Sequence, residues 1–191
     1  MANRFPALAL SAALMGLTSG IGAAVAAAQG GGFVLTSPNL AEGKMMATEQ
    51  ILNGFGCMGG NVSPNLKWSG APANTKSFAL TMYDPDAPTG SGWWHWVVVD
   101  IPATATELAK GWGKGGTSQL AGGRQTRTDF GQPGYGGPCP PPGAPHRYVF
   151  TLYALDIDKM PVPDDASGAL VGFNIGAHTI GKAAITAQYK R

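Results

Sequence analysis

The stretch Arg147-Tyr148-Val149-Phe150-Thr151-Leu152-Tyr153-Ala154-Leu155 decides the fold class. Tyr148, Phe150, Leu152 and Ala154 fall on one face of an extended chain, and Val149, Thr151, Tyr153 and Leu155 on the other. Aromatic and β-branched residues at period two read as a strand, and two mostly apolar faces read as a strand covered on both sides. Outward from it, Trp96-Val-Val-Val-Asp-Ile101 is a continuous apolar run and reads as a second central strand. Ser77-Phe-Ala-Leu-Thr-Met-Tyr83 sets Phe78, Leu80 and Met82 against smaller or polar neighbours and reads as a half-buried strand. Ala183 to Tyr189 reads as a closing strand with Ile185, Ala187 and Tyr189 on one side. Helical signals are sparse. Thr106 to Lys110 reads as one or two helical turns, and Asp164 or Asp165 as the cap of a helix through Ala169, Leu170 and Phe173, weakened by Gly168, Gly172 and Gly176. The expectation is a mainly β domain of short strands with one or two peripheral helices.

Composition agrees. Charged residues are 13% of the 191, about half the usual share, while Gly 29 and Pro 15 make up almost a quarter. That excludes a disordered polyelectrolyte and a coiled coil. The net charge is +2 with basic residues scattered, so nucleic acid is not an expected partner. Met1 to Arg4 is a short basic start, Phe5 to Ala28 contains no charged residue, and Ala26 and Ala28 are small where a signal peptidase cuts. Pro6, Gly16, Gly20 and Gly22 dilute the stretch below what a retained anchor needs. Residues 1–28 therefore read as a cleaved secretory signal and 29–191 as a single domain, periplasmic or secreted, without stable membrane insertion. An oxidising compartment favours pairing of Cys57 with Cys139. Such a bridge closes a long loop, worth roughly 4 kcal/mol in the chain-entropy model. Two buried free thiols remain the alternative, because sequence does not give the approach of the two Cα atoms.

Gly111-Trp-Gly-Lys-Gly-Gly116 fits a dinucleotide fingerprint by letters, but it follows no strand and opens no helical period, so it reads as a loop. No nucleophile elbow and no zinc-type spacing occurs. Two clusters carry the chemistry. Asp84-Pro-Asp-Ala-Pro88 ends one strand, and Trp93-Trp-His-Trp96 starts the next. Gly136-Gly-Pro-Cys-Pro-Pro-Pro-Gly143 is a stiff loop ahead of His146-Arg-Tyr148, in which His146 and Tyr148 share a face. If the strand ends meet, two imidazoles, a phenol, a carboxylate and loop N–H groups gather into a site for a small anion. Spacing alone leaves open the other reading, of turn aspartates, core-edge histidines and a rigid loop. His178 reads as a structural histidine, Trp93, Trp94 and Trp96 as core, and Asn61-Val-Ser63 as a glycosylation sequon by letters, with Pro64 against its use.

These motifs, together with Asn61-Val-Ser-Pro-Asn-Leu-Lys-Trp68 and the stretch from Gln125 to Gly131, resemble the phosphatidylethanolamine-binding protein family, in its bacterial Raf-kinase-inhibitor-like YbhB/YbcL branch. The resemblance runs from about Phe33 to Arg191. It implies a central antiparallel sheet packed with a smaller one, short edge helices, and a small cavity at the strand ends for phosphate-like anions. It places Asp84, His95, Gly137, His146 and Tyr148 in the pocket, and Asp86, Pro88, Trp93 and Pro138 in its wall. It implies a non-enzymatic binding protein without a cofactor. The expected partners are a small anion or phospholipid head group, a protease or kinase as protein target, and, for self-association, a second copy of the chain. Export weighs against a kinase. The animal members' C-terminal helix has no counterpart before Arg191, which implies a more open mouth. The competing reading is a hydrolase or metal-dependent enzyme using Asp84, His95 and His146.

Overall fold

The strand-forming stretches assemble into two antiparallel sheets and one small hairpin, in a computed structural model that describes residues 32–115, 119–120 and 122–191. Residues 1–28, read above as a secretory signal, lie outside the described residues. In chain order the strands are β1 (Val34–Thr36), β2 (Asn53–Gly54), β3 (Cys57–Met58), β4 (Leu66–Ser69), β5 (Ser77–Asp84) and β6 (Trp93–Pro102). Then come β7 (Glu107–Leu108), β8 (Gln119–Leu120), β9 (Gly123–Gln125), β10 (His146–Leu155), helix α1 (Gly168–His178) and β11 (Thr179–Tyr189). The large sheet has the order β11-β10-β5-β6-β9-β8, the small one β1-β4-β7, and β2 pairs with β3.

The layering follows from the two faces of β10. Its Tyr148, Phe150, Leu152 and Ala154 join Phe78, Leu80 and Met82 of β5 in a core closed by Leu35, Leu66, Trp68 and Leu108 of the small sheet. On the opposite face Leu155, Ala79, Val97 and Val99 pack under Val171 and Ile175 of α1. Both faces are therefore covered, as the strand's composition requires.

Two local expectations are corrected. Thr106–Lys110 is not helical. Glu107 and Leu108 pair with Lys67 and Leu66 as β7, because burying Leu108 in the core outweighs the weak preference of a single helical turn. The cap of α1 is neither Asp164 nor Asp165 but Ser167, whose hydroxyl accepts from the Leu170 N–H. Asp164 instead takes Arg124, a buried guanidinium that also binds Asp100 at 2.9 Å and the Met160 and Val162 carbonyls. Gly168 is required where it stands, since a Cβ there would run into the Trp94 indole.

Strand β6 carries two bulges, and they decide what reaches the site. Met82 pairs with Trp96 but Tyr83 with Trp94, so His95 is an extra residue; a second irregularity lies between the Leu80–Val98 and Phe78–Ile101 pairs. Each extra residue inverts the alternation of faces. Trp96 and Val98 face the small sheet. Beyond the first bulge that side passes to His95 and Trp93, while Trp94 turns to the α1 side against Tyr83. The second bulge centres on Asp100, at φ 58°. Its carboxylate accepts from both Arg124 and the Met160 N–H.

Cys57 and Cys139 are joined, with Cα atoms 6.0 Å apart and a sequence separation of 82. Among the described residues no helix is long and apolar enough to cross a membrane.

Candidate functional site

Where the face shared by β5, β6 and β10 runs out of aliphatic residues, polar ones take over. Asp84 follows Met82 on β5, His146 precedes Tyr148 on β10, and the bulge adds His95 and Trp93 from β6. These side chains line a cavity of about 230 Å³. Pro88, Thr89 and Ala87 of the β5–β6 loop form one wall. Leu52 and Phe55 from the β2 region, Phe130, and the Cys139–Pro141 loop form the others. The disulfide thus joins two of the segments that line the cavity.

Asp84 is buried and fully engaged. One oxygen accepts from the Asp86 N–H at 2.8 Å, closing a turn in which Pro85 and Pro88 restrict the backbone. The other lies 2.8 Å from His146 Nδ1. That contact makes Nδ1 the donor and turns Nε2 into the ring's remaining polar atom. Asp84 therefore orients an imidazole from the cavity lining.

His95 is held differently. Its Nδ1 donates to the Gly136 carbonyl at 2.7 Å, and its own carbonyl accepts the Gly136 N–H at 2.9 Å. The ring packs edge-on against Tyr148 and Phe130. Burial drives its pKa down to about 4, against the opposing pull of the Gly136 carbonyl, the Asp84 charge and, more weakly, the Gly137 carbonyl. In the empty cavity at neutral pH His95 is an uncharged ring with a lone pair on Nε2. Burial likewise pushes the Tyr148 phenol far above its usual range, so it stays a neutral hydroxyl.

Three residues expected in the pocket or its wall do not line this cavity. Asp86 turns to Arg147, which donates to it from Nε, Nη2 and the backbone at 2.7–2.9 Å. That pairing draws the Asp86 carboxyl down to about 2. Gly137 has no free N–H to offer, because the Asn61 Oδ1 accepts it at 2.7 Å. Its lack of a side chain serves close packing, since a Cβ would strike the Gln50 carbonyl and the Leu52 amide. Pro138 accepts the Leu52 N–H through its carbonyl. Conversely, Phe55 and Phe130 escaped the sequence reading. Their rings stack at 6.0 Å, and Phe130 also packs on Trp93 and His95. No spacing rule links positions so far apart. His178 sits far from the cavity, 3.0 Å from Asp156. Among the described residues no group of three or more His, Cys, Asp or Glu is arranged to hold a metal ion.

The arrangement supplies two oriented imidazoles and a phenol at the floor of a mostly apolar cleft. Comparison with known proteins agrees with its architecture. The structure of Escherichia coli YbcL superposes with a TM-score of 0.80 at 52% identity, covering 83% of this chain and 98% of that one. E. coli YbhB is 52% identical over 81% of this chain and 98% of its own length. LppC of Mycobacterium tuberculosis is 34% identical over 82% of this chain and 71% of its own. The model of the phosphatidylethanolamine-binding protein family matches residues 36–190, and with this fold and these relatives the chain belongs to that family.

Proposed function

We propose that this chain is a non-enzymatic binding protein that works outside the cytoplasm and takes a phosphate group, free or as a phospholipid head group, in the cavity between β5, β6 and β10. The observation that carries the reading is the pairing of buried Asp84 with half-buried His146 in the cavity lining. The carboxylate holds Nδ1–H and aims Nε2 into the cavity, where a proton shared between Nε2 and the anion makes a charge-assisted hydrogen bond. His95, uncharged when the cavity is empty, gives its Nε2 lone pair to the P–O–H of a singly protonated phosphate or takes up a proton together with the anion. Where His95 takes up that proton, the complex holds one proton more than the separate partners, and binding weakens as pH rises. The apolar walls of Phe55, Phe130, Trp93 and Pro140 exclude water and leave room beside the phosphate for the carbon atoms of a head group. The Cys57–Cys139 bridge and the uncharged Phe5–Ala28 stretch support export, as does the lipoprotein name carried by the M. tuberculosis relative.

Calorimetric titration with phosphate and with phosphoethanolamine tests this. Wild type is expected to bind at millimolar concentration or below, with heats that depend on the ionisation enthalpy of the buffer. His146→Ala and Asp84→Asn are expected to weaken binding roughly 10- to 150-fold. Absence of wild-type binding at millimolar ligand, or tighter binding by Asp84→Asn, overturns the reading. Intact mass of exported protein is expected to begin at Gln29.

A further inference from the structure

Asn61 opens a sequence motif for N-glycosylation, but its side chain is engaged inside the fold. Its backbone lies in the left-handed region at φ 50°, which asparagine tolerates better than most residues. Its N–H donates to the Ile51 carbonyl at 2.8 Å. From there the carboxamide reaches a segment 76 positions away. Nδ2 donates to the Tyr135 carbonyl at 3.2 Å, and Oδ1 accepts the Gly137 N–H at 2.7 Å. Those two groups flank Gly136, the residue that exchanges both of its backbone hydrogen bonds with His95.

The segment needs such a hold. Gly134, Gly136 and Gly137 leave it with high intrinsic backbone freedom. Side chains on Gly136 and Gly137 are excluded by Phe130 and by the Gln50 carbonyl, so the segment cannot be stiffened from within. We propose that Asn61 is a positioning residue of the cavity: by gripping the peptide groups on both sides of Gly136 it fixes the Gly136 carbonyl, and through that carbonyl it locks His95 in the tautomer with hydrogen on Nδ1 and the lone pair on Nε2. The consequence for ligand affinity rests on the phosphate reading above; the consequence for the His95 ring does not.

The chain has three histidines, so nitrogen-15 spectra of the imidazoles give three rings to assign. In wild type His95 is expected to carry its proton on Nδ1. Asn61→Gly preserves the left-handed backbone and removes both carboxamide bonds. It is expected to shift His95 to a mixture of tautomers, leave the His178 signals unchanged, and lower phosphate affinity about 3- to 10-fold. Asn61→Asp keeps the acceptor for Gly137 and loses the donor to Tyr135, so an intermediate mixture is expected. Wild-type His95 signals in Asn61→Gly overturn the proposal, as they do in Asn61→Asp if the glycine variant does not fold. A wild-type His95 protonated on Nε2 also overturns it. If wild type binds no phosphate, the anion reading fails while the tautomer comparison still decides the role of Asn61.

Discussion

His146 and His178 both present Nδ1 to an aspartate, 2.8 Å from Asp84 and 3.0 Å from Asp156. The side chains of the first pair are 14% and 4% exposed, those of the second 31% and 49%. The chemistry is the same and the energetics are not. In water an ion pair of this kind contributes little, because solvent already satisfies both partners. At the sheet end Asp84 is almost fully buried, so its carboxylate depends on the two donors it has, the Asp86 N–H and the His146 ring. His178 closes the last turn of α1. The first pair builds a cavity, and the second finishes a helix.

The sharpest break of this comparison is Asp84→Ala. It leaves a half-buried ring nitrogen and a backbone N–H without the carboxylate they donate to, and urea unfolding is expected to show a loss of about 3–5 kcal/mol. A loss no larger than that of Asp156→Ala would erase the distinction. The third histidine gives the next largest effect. His95 has a folded pKa of about 4, below the ordinary value of 6.5. The unfolded chain therefore binds this proton first as pH falls, and stability is lost between about pH 6.5 and 4, by on the order of 3 kcal/mol. His95→Gln is expected to flatten that part of the stability–pH curve. An unchanged acid slope in that variant would show that His95 is not its source.

Smaller effects belong to the α1 side. Gly168→Ala forces a methyl against Trp94 and is expected to cost about 1–3 kcal/mol, read as a drop in the thermal midpoint. Asp156→Ala is the smallest, below about 1 kcal/mol and screened further by salt. A larger, salt-insensitive loss there would mean that the second pair resembles the first.

The large sheet was legible because β5 and β10 write their faces in the sequence as apolar periodicity and β6 reads as a continuous apolar run. His146 and Tyr148, two apart on β10, were placed on one face by the same rule. The rule fails at the bulges. A strict alternation puts Trp94 with Trp96 and His95 with Val97, and only the extra residue in the ladder moves His95 to the cavity and Trp94 to α1. Asn61 and Phe130 were not legible as parts of the site because their partners lie far away in sequence. The cap of α1 was legible in principle: Ser167 stands directly before Gly168, but two aspartates just upstream drew the assignment. β7 was not, since two residues at a sheet edge are chosen by the burial of Leu108 rather than by local preference.

The paired bulges of β6 act like two compensating frameshifts. Between them, from Trp96 to Val99, the strand is read in one frame; outside them it is read in the other. Ironing out the first bulge with every residue kept would pair Tyr83 with His95. It would turn the imidazole to the α1 side and deliver the indole of Trp94 to the cavity floor, stripping α1 of the ring that Gly168 leaves room for. Anyone transplanting this cavity onto another sheet must therefore carry over the bulge between Trp93 and Trp96 as faithfully as the residues themselves.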